Sequence, residues 1–313
     1  MKKPIVCIGA ALVDELFHTS EPILKATTNN AKVSRTPGGV ARNIAHQLAL
    51  LDVPTRLISV FGNDGDGEWL KSRCLEVGID LEASLFPDLP SGRYTGILGP
   101  DGSLFTAFLT RGATNLITPD VLEERRGLLE KAGYILACAN VEPTSIEWLL
   151  DFCRKKSIPL VIEPVSVPPA SRLKGMDLDG LDMITPNEDE LPVLCEGNYA
   201  SVRDYADELL SRGVSKVWLH NGARGSKIFS EAGDLTLHAS KIEVVDCTGA
   251  GDGSVAGFLL GKYMGKSDME SLRIAHTLAM EILQVEGANV PNLDRQTLLS
   301  RISRYYPEHA ASH

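Results

Sequence analysis

Short apolar runs alternate with amphipathic stretches along most of this chain. Pro4 to Gly9 brackets four consecutive apolar residues and predicts a buried first strand. Val40, Ile44, Ala45, Leu48 and Leu51 fall at helical spacing, which predicts a helix opening just after Gly38-Gly39. Arg56–Phe61 predicts a strand, and the turn at 63–67 leads into a helix from about Glu68 to Val77. Arg93–Leu98 and Leu104–Leu109 flank Pro100-Asp101-Gly102, a hairpin signal. From Pro119 onward helices and strands take turns: helix 119–131, strand Tyr134–Cys138, helix 143–156, strand Leu160–Ile162, strand Met183-Ile184, helix 187–195, helix 201–212, strand Lys216–His220. Ser226–Ser230 and Leu235–His238 predict a second hairpin, Ile242–Val245 a further strand, and the region after 254 is almost entirely helical. This alternation implies an α/β fold whose mostly parallel sheet carries helices on both faces. Residues 10–36, more polar and irregular, and the 93–109 hairpin interrupt it. The tail Pro307–His313 reads as loose.

Composition narrows the function classes. At 313 residues, 43% hydrophobic and 23% charged, the chain can bury a sizeable core and resembles an ordinary soluble enzyme. A net charge of −10 argues against a nucleic-acid backbone as partner. No apolar stretch is long enough to span a bilayer, and the amino terminus lacks the pattern of a secretory signal, so no membrane partner and a cytoplasmic location are expected. The six cysteines show no metal-binding spacing and read as buried, reduced thiols.

Two glycine turns carry the chemistry. In Asp246-Cys247-Thr248-Gly249-Ala250-Gly251-Asp252, small residues at a helix start leave backbone N–H groups uncovered, and the helix dipole adds positive potential, as a phosphoryl group requires. Asp252 would repel a phosphate that was merely held there. Beside a phosphoryl group in transfer it can instead take a proton from the attacking hydroxyl. Taken alone, the turn reads better as a strand-to-helix connection with Asp252 as a first-turn cap. The second turn, Pro37-Gly38-Gly39-Val40-Ala41-Arg42-Asn43, pairs two glycines with an Asn about one helical turn later.

Together with Asn187-Glu188-Asp189-Glu190, these segments resemble the signatures of the ribokinase family, the phosphofructokinase B-type carbohydrate and nucleoside kinases, over nearly the whole chain and in the family's order. The resemblance implies one ribokinase-like domain over 1–313, with a small β lid supplied by about 10–36 and 93–109. It implies ATP and Mg2+ as cofactors and a sugar or nucleoside as substrate. Homodimerisation through the lid is also implied. Residue by residue, it implies Asp252 as general base and Gly249, Ala250 and Gly251 as an anion hole. Asp14, Gly38, Gly39 and Asn43 would bind the acceptor, and Asn187, Gly222, Gly225 and Thr248 the nucleotide. Glu190 would serve the magnesium through water, and Asp246 would sit near a K+ site. His220 stands where the family often has Thr or Ser. Arg42-Asn43-Ile44-Ala45 and Glu163-Pro164-Val165-Ser166 are similar to segments of the family's pseudouridine kinases, although those commonly have Asp in place of Glu163. Phosphorylation of pseudouridine at its 5′-hydroxyl is therefore the expected activity. A kinase for a free sugar or another nucleoside, or a small-molecule sensor on the same fold, stand as alternatives. Arg42 reads either as a substrate contact or as half of a helix-surface ion pair.

Two other motifs fail. Gly261–Ser267 ends like a Walker A loop but has three residues between its glycines instead of four and follows a helix. No Gly-x-Gly-x-x-Gly follows the first strand, which makes a dinucleotide oxidoreductase a poor fit.

Overall fold

The computed structural model describes residues 2–110, 113–287, 290 and 293–307. Met1 and all of the tail read as loose except Pro307 lie outside the described residues. Two sheets organise the chain. The larger has eight strands: β1 (Ile5–Ile8), β4 (Thr55–Ile58), β7 (Tyr134–Cys138), β8 (Leu160–Glu163), β9 (Met183–Ile184), β10 (Val217–His220), β11 (Ser226–Phe229) and β12 (Leu235–Leu237). Their order is β12-β11-β10-β9-β8-β7-β1-β4, parallel from β4 to β10, with β11 and β12 added antiparallel. β1 is apolar throughout because both its faces are covered: Ile5 and Cys7 enter one core layer, Val6 and Ile8 the other.

Helices α1 (Val40–Leu50), α2 (Gly65–Glu76), α9 (Ala250–Tyr263), α10 (Asp268–Leu283) and α11 (Arg295–Tyr305) contribute to the first layer. The second holds α3 (Pro119–Glu124), α4 (Arg126–Leu129), α5 (Pro143–Lys156), α6 (Val167–Ser171), α7 (Glu190–Leu194) and α8 (Val202–Ser211). Along α9, Gly253, Gly257 and Gly261 face α10 so closely that a Cβ on Gly257 would lie 2.7 Å from the Ala275 Cα. That contact holds the α9 amino terminus where the strand ends converge.

The smaller sheet, β3-β2-β5-β6, comprises β2 (Leu12–Thr19), β3 (Ala31–Gly38), β5 (Gly92–Leu98) and β6 (Leu104–Thr110). The stretch 10–36, irregular by its sequence, thus pairs as two strands. Its polar residues alternate on a thin sheet that buries little. Asp66 at the start of α2 pins the sheet base, accepting from both Arg35 and Arg93, while Glu15 faces the same two guanidiniums at 3.3 and 3.0 Å.

Three further expectations change. The run 119–131 is broken at Arg125 into two short helices. The helix expected from 187 begins only at Glu190. Ile242–Val245 is not a strand: Val244 and Val245 are exposed, and Val245 donates its N–H to the Leu283 carbonyl at the end of α10. β12 ends the sheet with a free edge, but this run does not pair with it and lies against the end of α10 instead.

Candidate active site

The carboxyl ends of β1, β7, β8, β9 and β10 open toward the amino terminus of α9, the side on which parallel α/β sheets bind ligands. A cavity of about 550 Å³ lies between this edge and the small sheet, lined among others by Asp14, Gly39, Asn43, Tyr94, Asn140, Val165 and Arg172.

The glycine pair owes its composition first to the protein's own packing. A Cβ on Gly38 would lie 2.1 Å from Asp14 Oδ2. Gly39 has φ +95°, and a Cβ there would lie 2.3 Å from the Ala10 carbonyl oxygen. With both positions bare, β3 passes directly into α1 and places Asp14 and Asn43 on the same cavity. Asn43 Nδ2 donates to Asp252 Oδ2 at 2.8 Å, joining segments 209 residues apart.

Asp252 lies in the first turn of α9, and its side chain accepts from Asn43 and, among the described residues, from no backbone N–H, so it is not a side-chain cap. Gly249 takes φ +75° and opens the helix, and a Cβ on Gly251 would meet nothing within 4 Å. Among the described residues the N–H groups of Gly251 and Asp252 have no carbonyl partner, whereas Gly253 N–H bonds Gly249. Burial pushes the Asp252 carboxyl up to about 7; Asp14 adds to this, while Asn43 and the Arg42 charge oppose it. Asp14 rises to about 6, by burial and against Arg42.

Arg42 is the clearest correction to the sequence reading. It is 1% exposed and forms no ion pair among the described residues, so it is not half of a surface pair. Glu163 is the other residue whose place sequence left open. Its Oε2 is buried without a partner. Burial lifts its carboxyl well above the usual range, with Glu190 and Asp252 adding to the effect. Val165 beside it takes φ +74°, rare for a β-branched residue, in a tight turn closed by Ser166 N–H to the Pro164 carbonyl at 2.9 Å.

Asn187 and Glu190 cap α7 reciprocally. Asn187 Oδ1 accepts from the Asp189 and Glu190 N–H groups, and Glu190 Oε2 accepts from Asn187 N–H, each at 2.9 Å. Glu190 is 4% exposed, and burial raises its carboxyl. Asn187 bridges to His220, after which Gly222 and Gly225, both at positive φ, form the loop into β11. The His220 ring is buried against Trp218, and burial drives it down to about 3, leaving it neutral. Asp246 is engaged locally: Oδ1 accepts from Thr248 N–H and Oγ1, and Oδ2 from Gly287 N–H at 2.9 Å. Burial would raise its carboxyl, but these donors outweigh it and hold it below the ordinary value. The geometry therefore gathers Asp14, Asn43 and Asp252 at one end of the cavity. Gly249–Gly251 lie beside them, and Asn187, Glu190, Gly222 and Gly225 at the neighbouring strand ends.

Residues 2–295 match the sequence profile of the pfkB family carbohydrate kinases. The chain belongs to that family. It is a phosphotransferase acting on an alcohol group, a sugar or nucleoside kinase. It is similar to the pseudouridine kinase of Escherichia coli K12, 28% identical over 96% of this chain and 97% of that one. It also resembles the guanosine-inosine kinase of Exiguobacterium acetylicum, 25% identical over 92% and 97%. Among solved structures, Arabidopsis thaliana ribokinase complexed with ribose and ATP superposes with a TM-score of 0.85, at 25% identity, covering 96% of this chain and 99% of that one. The ribokinase-like fold, a mostly parallel sheet flanked by helices, is thereby shown. No helix among the described residues is long and apolar enough to cross a membrane.

Arg42, Glu163 and Asn140 were missed or left open in sequence. A charged residue one place before a motif Asn gives no sign of burial. Only the apolar residues around Arg42, at the spacing of a core-facing helix, hinted at it.

Proposed function

We propose that this pfkB-family kinase transfers the γ-phosphoryl group of ATP to the 5′-hydroxyl of pseudouridine. Asp14 and Asn43 hold the ribose, and Asp252 receives the hydroxyl proton. A carboxyl poised near 7 suits a base that works at neutral pH. The uncovered N–H groups at Gly251 and Asp252 stabilise charge on the moving phosphoryl group. Gly222, Gly225, Asn187 and Thr248 form the nucleotide side.

The residues present also fit magnesium. Glu190 keeps one carboxylate oxygen without a partner among the described residues, and Glu163 close by has a buried orphan oxygen. Hard oxygen donors in a negative setting suit this cation, which Glu190 would hold through water, and the cation supplies neutralisation of phosphate charge. The four-stranded sheet serves as lid, and its exposed Phe105 and Phe108 suit pairing with the lid of a second copy.

The observation that carries the nucleoside reading is the cavity itself. Beyond Asp14 and Asn43 it is lined by Tyr94, Leu109, Val165 and Pro169, more room than a pentose fills and apolar walls that suit a base. Asn140 lines this part of the cavity, and its side-chain amide can supply an acceptor to a substrate donor. The carbon-linked uracil of pseudouridine has one ring N–H that uridine lacks. An acceptor left unpaired by uridine costs about 1–3 kcal/mol, roughly tenfold to a hundredfold in kcat/KM. Assay with ATP and magnesium against pseudouridine, uridine, cytidine, adenosine, inosine, ribose and fructose is expected to rank pseudouridine first. A higher kcat/KM for ribose or adenosine would replace the acceptor and leave the kinase standing.

A further inference from the structure

Arg42 is a cation buried at the start of α1 and, among the described residues, has only neutral atoms as bonding partners. Nη1 donates to the Pro37 carbonyl at 3.1 Å and to Asn43 Oδ1 at 2.8 Å; Nη2 lies 3.3 Å from His46 Nδ1; Nε has no partner. Burying a charge without a carboxylate in contact is costly, and an apolar side chain of similar length would fill the space without that cost. The cost coincides with the site.

We propose that Arg42 is a positioning residue for phosphoryl transfer: it fixes the Asn43 amide so that its NH2 end meets Asp252, and it sets a positive charge between Asp14 and Asp252. The proposal rests on the reading of Asp252 as base. An amide has an acceptor end and a donor end, and a guanidinium can only donate. With Asn43 Oδ1 turned to Arg42, Nδ2 must turn to Asp252 Oδ2. Flipped, the amide would set N–H against N–H on one side and carbonyl oxygen against carboxylate on the other. The relay therefore has one stable orientation, and it leaves Asp252 Oδ1 for the acceptor hydroxyl.

The charged and titratable groups around this relay come from several elements. Arg42 faces His46 on its own helix, Cys74 on α2, Asp14 on β2 and Asp252 on α9. Asp252 in turn has Glu163 from β8 and Cys138 from β7 nearby. Burial first, then the Arg42 charge, drives the His46 ring down to about 4. It is neutral at working pH, so Arg42 is the cation that opposes the mutual repulsion of Asp14 and Asp252.

The test compares Arg42→Met and Arg42→Lys with the native enzyme, using ATP, magnesium and either pseudouridine or ribose, with kcat followed against pH. Removing the positive charge makes Asp252 harder to ionise. Arg42→Met should therefore move the acid limb up by about one pH unit. Its kcat should fall roughly tenfold to a hundredfold, with acceptor KM changed much less. Arg42→Lys keeps the charge but cannot reproduce the planar fork, so its limb should stay in place while kcat drops. Should Arg42→Met fail to fold, Arg42→Lys in an Asn43→Ala background decides: it should cost no further kcat, because the relay is already cut. Native kcat and an unmoved limb in folded Arg42→Met, or fully additive losses in the double variant, would overturn the role of Arg42. If Asp252→Asn keeps its turnover, the base reading itself fails, and the relay with it.

Discussion

Replacing Asp252 by Asn should make the protein nearly inactive and, at alkaline pH, more stable. The carboxyl is lifted to about 7, from an ordinary value of 3.8, with burial as the first cause. A raised carboxyl binds its proton more tightly folded than unfolded. Its contribution to stability therefore falls as pH rises from about 4 to about 7 and is constant above that. Three units correspond to about 4 kcal/mol at most. Asp252 is half-buried, and solvent screening brings the figure nearer to about 2 kcal/mol. Asn carries no such cost, and its carbonyl still accepts from Asn43. Urea titrations should find the variant about 2 kcal/mol more stable at pH 8 and equal to the native protein near pH 4, which for this length is about 3 °C in Tm. In the same samples kcat should drop a hundredfold or more. A stability difference that is the same at both pH values would refute the raised carboxyl, and near-normal turnover would refute the base.

Gly38→Ala would drive a Cβ to within 2.1 Å of Asp14 Oδ2 at a position where backbone strain plays no part. It should destabilise by about 1–3 kcal/mol and raise acceptor KM while sparing ATP KM; an unchanged acceptor KM in steady-state kinetics would contradict the placement of Asp14. Replacing the β5–β6 hairpin by a short linker should raise acceptor KM far more than ATP KM and promote ATP hydrolysis without acceptor, because the lid then no longer excludes water. Equal effects on both substrates in a folded variant would reduce the hairpin to a surface insertion.

Much of this architecture was legible because local pattern and global fold agree. Tyr134–Cys138 and the helix 143–156 begin and end where periodicity puts them, since both elements are decided by apolar faces that meet one core. The pattern failed where an element owes its state to distant partners. Residues 12–19 pair with 31–38 on one side and with β5 on the other, and the β5 pairing is a non-local choice that no window of sequence contains. Ile242–Val245 has the composition of a strand but is held against the end of α10 through Val245 N–H and the Leu283 carbonyl. The site motifs were legible as residue types but not as geometry. Gly38 and Gly39 read as room for a ligand, whereas the first things they make room for are Asp14 and Ala10. Glu163 and Arg42 became readable only once β8, α1 and α9 were brought together.

The 2.8 Å bond between Asn43 and Asp252 depends on how two helices are held by the rest of the fold. Burial of Val255, Phe258, Leu259 and Leu260 anchors α9 in the core but does not by itself fix its position along its own axis. The close fit of Gly257 against Ala275 and of Gly261 against Ser271 does so instead. A slip of a single residue, about 1.5 Å of rise and 100° of rotation, would carry Asp252 away from Asn43 and re-aim the uncovered N–H groups. The α9–α10 contact is therefore as much a part of the site as the carboxylate. The same reasoning explains why small residues stand along α9 where larger ones would bury more apolar area. Larger side chains would bury more apolar area and move Asp252.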